Sequence, residues 1–343
     1  MRRSFIDVVG NQKLCARLQN DLTDGTLSHA YVLEGARGTG KHTIALRIAA
    51  ALACEHRNDD TAPLPCMRCN ACRKILSGNS PDVILINRDD KATLGVEAIR
   101  ELRRDVWVAP NDVSTKTYLI EDAHLMTQQA QNALLLTLEE PPSYALFLLL
   151  CESASPLLET IRSRAPTLRT EPIPPRELEE HLCRVNADAA TLKKTAYSEL
   201  AEIISASDGS IGKALSLMDP KIRKPIVTKR EVAREFVRLC TARRQFAAVL
   251  RFLMPLAAKR DNMTDTLNTV LLCLRDLLLV KQTEKAPLCF FADREEATTL
   301  AYAFTTPDLL ALCDHVTQAC DQLQKNANVR LTLISLATNA GLL

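Results

Sequence analysis

Three features are scarce or missing in this 343-residue sequence: glycine, an excess of charge of one sign, and long apolar runs. Ten glycines, with 47% hydrophobic and 24% charged residues, favour a helix-rich globular protein with sizeable cores. The formal net charge is only +2, whereas a protein that grips nucleic acid through its own phosphate contacts usually has a strong basic excess. Any contact with DNA is therefore expected to be modest or shared with partner chains.

The lack of long apolar runs argues against a protein that spans a membrane or is secreted. Runs such as 146–151 are far too short to span a bilayer, and the first residues contain neither a long apolar stretch nor a cleavage site. We therefore expect a cytoplasmic chain without membrane contact, in which thiols stay reduced. Clustered cysteines then indicate a metal site and scattered ones core packing. The scattered ones are Cys15, Cys151, Cys183, Cys240, Cys273, Cys289, Cys313 and Cys320.

The first half of the chain alternates short β-rich runs with helical patterns. Because strands separated by helical segments form parallel sheets, we predict an α/β domain with helices on both faces of its sheet. The predicted strands are 30–34, 82–86, 117–120 and 144–151, and the predicted helices are 43–52, 96–106 and about 127–140.

The pattern changes after Pro166. A proline-rich segment at 171–175 is a stiff breaker, and no convincing strand follows it. We predict three short helices over 176–218, a joint marked by Pro220 and Pro225, and long amphipathic helices beyond it. Those long helices are 264–281, 307–324 and 329–342. The sequence thus predicts three domains, over 1–170, 171–220 and 221–343.

A phosphate-binding loop follows the first predicted strand. Gly35, Gly38, Gly40 and Lys41 fit the pattern G-x-x-x-x-G-K between a strand and a helix, which is the context that the motif requires. The glycines let backbone amides curl around phosphates, the helix N-terminus adds a positive dipole, and the lysine reaches the outer phosphates. The alternative is a glycine-rich turn with an exposed lysine. We expect ATP or ADP as the ligand.

The residue after the lysine departs from that motif. A Ser or Thr hydroxyl normally ligates magnesium there, whereas this sequence has His42. Thr43 lies one step further on, and a helix turns by about 100° per residue, so its hydroxyl should not reach the same point. Nucleotide binding stays plausible, but magnesium lacks its usual ligand.

Four cysteines lie close together between the phosphate loop and the second predicted strand. Cys54, Cys66, Cys69 and Cys72 follow the spacing C-x11-C-x2-C-x2-C. Four thiolates suit a tetrahedral structural Zn²⁺ and leave no open position for catalysis. The alternative is a set of packed free thiols. We predict a zinc module at about 54–72.

An acidic pair ends the third predicted strand. In an active P-loop ATPase an aspartate here holds magnesium and a neighbouring glutamate positions the attacking water. Here Glu121 precedes Asp122, so each carboxylate is misplaced by one methylene. Misplacement of about 1 Å can cost about a hundredfold in rate. A solvated acidic strand end is at least as good an interpretation as a working site.

Several segments in the first half resemble one family. Residues 131–142 closely resemble the N-A-L-L-K-T-L-E-E-P-P signature of bacterial clamp-loader ATPase subunits. Residues 161–165 look like their S-R-C motif, and 5–10 look like their opening F-x-D-[IV]-[IV]-G segment beside the adenine, which includes Val9. The four-cysteine module occurs at the same place in that family. The resemblance implies a RecA-like AAA+ domain, a helical lid and a helical collar.

Within that family, the resemblance favours delta prime over the gamma or tau motor subunits. His42 and the Glu121–Asp122 order depart from the motor pattern, and Gly212 stands where a motor has an arginine that senses the γ-phosphate. Lys213 is adjacent but points elsewhere on its helix. Residues 326–336 resemble a run in the final helix of many delta-prime collar domains.

The resemblance also implies a role and partners. Arg164 would be an arginine finger that reaches the ATP of a neighbouring motor subunit, although a lone Ser-Arg pair is usually an ordinary surface arginine. The partners would be gamma or tau and delta subunits in a hetero-pentameric ring, the sliding clamp and, indirectly, primer-template DNA. The chain's own ATPase activity would be weak or absent. Alternatives are a gamma-type ATPase motor and a non-replicative P-loop regulator.

Overall fold

The computed structural model describes residues 8–57, 59, 62–89, 91–241, 246–258, 260–283 and 288–340. The chain forms two compact units, of which the first ends at Ile173 and the second begins at Pro174. The boundary lies within the predicted proline-rich breaker. In the described parts of the chain, every helix is too short or too polar to cross a bilayer.

A parallel sheet forms the centre of the first unit. Its order is β2–β3–β4–β1–β5 among the described residues, and each neighbouring pair runs in the same direction. In the central pairing Val32 lies opposite Leu149, and Tyr118 lies opposite Phe147 on the next strand. The strands are β1 (Ala30–Glu34), β2 (Val83–Ile86), β3 (Lys116–Ile120), β4 (Ala145–Cys151) and β5 (Thr167–Arg169).

Helices cover both faces of this sheet. Side chains alternate along each strand, so Tyr31 and Leu33 enter the core on one face while Ala30 and Val32 enter the core on the other. The helices are α1 (Gln12–Asp24), α2 (Lys41–Leu52), α3 (Asn70–Leu76), α4 (Val96–Asp105), α5 (Gln128–Glu139) and α6 (Glu159–Arg164). The carboxyl ends of β1, β3 and β4 meet at one edge, where ligands bind in open parallel sheets.

The second unit is helical throughout its described residues. Its largest core packs Phe236 of α11, Leu274 of α13, Leu312 of α15 and Leu336 of α16 into one cluster. The helices are α7 (Pro175–Val185), α8 (Ala187–Thr195), α9 (Tyr197–Ala206), α10 (Ile211–Leu217), α11 (Pro220–Cys240), α12 (Phe246–Leu253), α13 (Arg260–Gln282), α14 (Arg294–Tyr302), α15 (Thr306–Gln324) and α16 (Val329–Ala340).

The predicted architecture is confirmed: a parallel sheet with helices on both faces is followed by a helical region. Three details were wrong. A fifth strand, β5, follows Pro166, and four helices rather than three occupy the fully described stretch 175–217. Pro225 lies inside α11 and ends no helix. The division of the second unit near residue 220 stays a prediction.

Candidate nucleotide and metal sites

The predicted phosphate loop joins β1 to α2. Gly40 caps the helix with φ +87°, and Gly38 has φ +83°, so both occupy the left-handed region that favours glycine. The first amides of α2, at Lys41 and beyond, therefore face the end of the sheet, which is the arrangement that binds phosphate.

Gly35 is required for a different reason. A Cβ at Gly35 would lie 2.1 Å from Thr170 Oγ1 and 2.7 Å from the Thr170 carbonyl oxygen. Thr170 follows β5 and also lies 2.7 Å, oxygen to oxygen, from the hydroxyl of the loop residue Thr39. Contact with β5 therefore holds the loop in place, and only a residue without a side chain fits at position 35.

Lys41 lies against the loop itself. Its ammonium donates to the carbonyl oxygens of Gly35 at 2.6 Å and Ala36 at 2.8 Å. Desolvation lowers the pKa of Lys41, while the nearby Glu152 opposes that shift. The lysine is thus held in reach of a phosphate cradled by the same loop.

His42 occupies the position that a magnesium ligand has in the standard motif. Its Nε2 lies 3.8 Å from Oε1 of Glu121, and both side chains are partly exposed. Thr43 is exposed one residue further along the helix. The imidazole, rather than a hydroxyl, therefore faces the acidic end of β3.

Asp122, the second acid, is paired with Arg88. Arg88 Nε donates to Asp122 Oδ2 at 3.0 Å, and another nitrogen of the same guanidinium donates to the Lys91 carbonyl oxygen. Asp122 has φ +49°, a left-handed conformation that aspartate tolerates better than most residues. Sequence reasoning missed Arg88, which is 34 residues away and belongs to no motif.

Val9 is half-buried at the beginning of the described chain. The first part of the proposed adenine segment, Phe5 to Asp7, lies outside the described residues. The adenine contact stays a prediction.

The four predicted zinc ligands form one buried thiol cluster. Cys54, Cys66, Cys69 and Cys72 are each at most 6% exposed, and the sulfurs of Cys66 and Cys72 lie 4.0 Å apart. The Cys54 thiol interacts with both. Sulfurs bound to one tetrahedral Zn²⁺ would be about 3.8 Å apart, given Zn–S bonds of about 2.3 Å. Four buried thiols are therefore a donor set that fits a structural zinc ion.

The thiols differ in pKa, partly because backbone amides donate hydrogen bonds to some of them. The Cys69 amide donates to Cys66 Sγ at 3.3 Å, and the Cys72 amide donates to Cys69 Sγ at 3.4 Å. Burial alone would raise the pKa of Cys66, but the amides of Arg68 and Cys69, together with the thiols of Cys69 and Cys54, lower the pKa to about 6. Burial raises the pKa of Cys72. The two C-x2-C turns thus supply the amide donors that favour thiolates.

A fifth donor lies beside this cluster. One ring nitrogen of His56 and the sulfurs of Cys54, Cys66 and Cys69 all lie within 4.8 Å of one another. Sequence reasoning missed His56, although its position two residues after Cys54 was a signal.

Arg164 is the last residue of α6. Its guanidinium donates to the Thr160 carbonyl oxygen at 3.0 Å and to Oε1 of Glu139 at 2.8 Å. The side chain remains 35% exposed, so it can reach a partner molecule. Arg162, two residues earlier, is more exposed.

The buried Gln131 links α5 to the segment that begins α6. Its amide donates to the carbonyl oxygens of Met126 at 3.2 Å and Pro156 at 3.3 Å, and its oxygen accepts from the Leu158 amide at 2.8 Å. Gln131 directly precedes the N-A-L-L part of the family signature, and the structure gives it a positioning role. Both ends of α5, through Gln131 and Glu139, therefore hold α6.

Gly212 lies near the beginning of α10 in the second unit, and a Cβ built there meets nothing within 4 Å. Lys213 forms an ion pair with Asp208. A sensor cation is thus missing at position 212, and the neighbouring lysine is engaged elsewhere.

The phosphate loop beside β1 and the acidic pair beside β3 are the defining parts of an AAA+ unit. Comparison with known proteins narrows that class. Residues 10–174 match the family model described as "DNA polymerase III, delta subunit". The tau subunit of DNA polymerase III from Bacillus subtilis is 39% identical over 218 residues, covering 64% of this chain and 38% of the relative. The Escherichia coli tau subunit is 36% identical over 221 residues, covering 64% and 33%.

Among solved structures, a gamma subunit-related protein of DNA polymerase III from Thermotoga maritima aligns over 94% of this chain and 98% of its own. The two are 17% identical, with a TM-score of 0.47. The chain spans about a third of the length of the curated tau relatives it matches. The family-model match and the curated relatives support a clamp-loader protein of the AAA+ family, as the motifs predicted.

Proposed function

We propose that this chain is a delta-prime-like subunit of a DNA polymerase III clamp loader. It would help load the sliding clamp onto primed DNA within a hetero-pentameric ring that includes gamma or tau and delta subunits. Its part would be to supply Arg164 to the ATPase site of a neighbour rather than to hydrolyse ATP itself.

One observation carries this proposal: both acids at the end of β3 face basic side chains of the same chain. Glu121 faces His42 at 3.8 Å, and Asp122 accepts from Arg88 at 3.0 Å. In a hydrolysing site one of these carboxylates holds magnesium and the other orients water. A carboxylate neutralised by a side-chain cation is a weaker ligand for a divalent ion, and His42 offers no hydroxyl. Binding of ATP or ADP through Lys41 remains compatible with the loop.

Arg164 supports the second half of the proposal. A finger must be cationic and exposed enough to reach another chain. The guanidinium is held by Thr160 and Glu139 yet remains 35% exposed. In the ring it would stabilise charge on the transferring phosphoryl group of the neighbouring subunit.

The test is a loader reconstituted with its gamma or tau and delta partners. Arg164→Ala should lower the ATPase rate stimulated by DNA and clamp, because one motor site loses a group worth roughly 10³ to 10⁵ in rate. Total turnover should fall partially, since other motor sites have their own fingers, and clamp loading should fall further. Zinc content and ring assembly in the absence of nucleotide should not change.

Arg162→Ala is the matched control, because it removes an exposed arginine from the same helix. Equal effects of the two substitutions would show that Arg164 is an ordinary surface residue. Wild-type activity in both would remove the support for a role in trans.

A gamma- or tau-type motor is the second candidate, and the intact loop with Lys41 and the tau relatives favour it. The purified chain decides between the two. Steady ATP turnover that disappears in Lys41→Ala would establish the motor function and contradict the delta-prime-like one.

A further inference from the structure

His56 lies in the turn that follows Cys54, before the paired C-x2-C steps. One of its ring nitrogens lies within 4.8 Å of the sulfurs of Cys54, Cys66 and Cys69. Its Nδ1 is buried and has no hydrogen-bond partner within the protein. Buried polar atoms in folded proteins almost always have a hydrogen-bond partner, so a partner for this nitrogen is expected.

The thiol cluster itself can provide that partner. A neutral thiol is a weak hydrogen-bond acceptor, whereas a metal-bound thiolate carries negative charge and accepts well. Zinc held by four thiolates has a formal charge of −2, and donors around the cluster offset this charge. The amides of Cys69 and Cys72 already donate to Cys66 and Cys69.

Four thiols can complete the ligand shell without the imidazole, although the four donors that all lie within 4.8 Å of one another are those of Cys54, His56, Cys66 and Cys69. Cys72 is fully buried, and its sulfur lies 4.0 Å from Cys66 Sγ, close to the spacing of about 3.8 Å expected for two ligands of one zinc ion. Four sulfurs therefore satisfy the tetrahedral ion, and a fifth ligand has no position in such a shell. The imidazole then belongs outside the sulfurs.

We propose that His56 is a positioning residue of the zinc site that donates a ring N–H to a ligand thiolate and slows the loss of the metal. This inference rests on the proposed zinc site. Outer partners of metal ligands hold them in place and tune their basicity, and their removal typically weakens metal affinity 10- to 100-fold.

The experiment uses the full-length protein, with zinc measured by elemental analysis and affinity by competition with a colorimetric chelator. His56→Ala should still bind one zinc ion per chain, but with affinity reduced roughly 10- to 100-fold. His56→Asn restores an N–H donor at the Nδ1 position, and His56→Gln places one near Nε2, so one of them should recover most of the affinity. His315→Ala is the matched control, since His315 Nδ1 is also buried without a partner but lies in the second unit.

Cobalt substitution separates an outer partner from a ligand. Wild type and His56→Ala should both give the visible spectrum of four-sulfur coordination. The thiolate-to-cobalt charge-transfer band should move to longer wavelength in His56→Ala and return in the rescuing variant, which general loosening of the fold would not produce.

Three results would overturn the inference. A nitrogen-containing coordination spectrum in wild type that is lost in His56→Ala would make His56 a ligand. Equal zinc affinity in His56→Ala and His315→Ala would leave the residue without influence on the metal. Wild-type protein without zinc, after purification free of chelators, would refute the zinc site itself and the inference with it.

Discussion

At the scale of single residues, His42 determines whether nucleotide binding at the phosphate loop depends on magnesium. It stands where a hydroxyl would ligate magnesium, and it faces Glu121. Nucleotide binding by this chain should therefore depend on Lys41 and the loop amides but little on magnesium.

His42→Thr tests this dependence. The variant regains the hydroxyl of the standard motif, so magnesium should tighten its binding of ATP, whereas wild type should bind equally with magnesium or with a chelator. Fluorescence titration with a labelled nucleotide measures both. The control Thr43→Ser keeps the neighbouring hydroxyl and should behave as wild type. A wild-type protein whose affinity collapses without magnesium would contradict the expectation.

The sequence could identify the residues of local motifs but not their distant partners. Lys41 and the four cysteines were found because each belongs to a motif whose residues lie at short, fixed spacings in the sequence. The pairings of Arg88 and Glu139 were missed because each partner is distant in the sequence, 34 and 25 residues away. Tertiary packing brings those pairs together, and no periodic sequence pattern predicts such contacts.

At the scale of elements, the bonds of Gln131 fix α6 relative to α5. Gln131→Leu has similar volume but leaves the Leu158 amide and two carbonyl oxygens without their partner. The free energy of unfolding should fall by about 1–3 kcal/mol. Amide hydrogen exchange over 158–164 should also accelerate. Urea denaturation and exchange measured by mass spectrometry would check both effects.

Gln129→Leu is the control on the same helix, because Gln129 is exposed. Its effect on stability should stay within about 0.5 kcal/mol. Equal stability of the two variants would show that the Gln131 bonds do not hold α6.

Strand and helix positions were predicted well where apolar runs were long, as in β1, β3 and β4. The β5 strand was missed because it has three residues, of which only Leu168 is buried. One helix was missed because Asn186 ends α7 and caps α8 at once, leaving no connecting loop to mark the boundary. Pro225 did not break α11, because the buried face formed by Ala233, Phe236 and Val237 stabilises the helix beyond it.

At the scale of the whole molecule, the proposed zinc ion should stabilise one region of the first unit. The module is inserted between α2 and β2, while β3 and β4 pair with each other independently of it. Chelation should accelerate hydrogen exchange over 54–72 and at the end of α2, where the Ala50 carbonyl oxygen lies 3.6 Å from Cys72 Sγ. Protection of β3 and β4 from exchange should persist, and added zinc should restore the protection that chelation removed over 54–72 and at the end of α2. Loss of protection throughout the sheet would show that the metal supports the entire unit.

The ion pair between Arg164 and Glu139 has a consequence for assembly under the proposed function. A guanidinium already satisfied within its own chain changes partners when it reaches a neighbour's triphosphate, so Glu139 and the γ-phosphate compete for one cation. By linkage, the factor by which ATP strengthens the subunit contact equals the factor by which the contact strengthens ATP binding. Hydrolysis removes the γ-phosphate that competes with Glu139. The guanidinium then returns to Glu139, and the contact between the two subunits weakens. The ion pair would thus act as the resting position of a switch whose state is set by the nucleotide of another subunit.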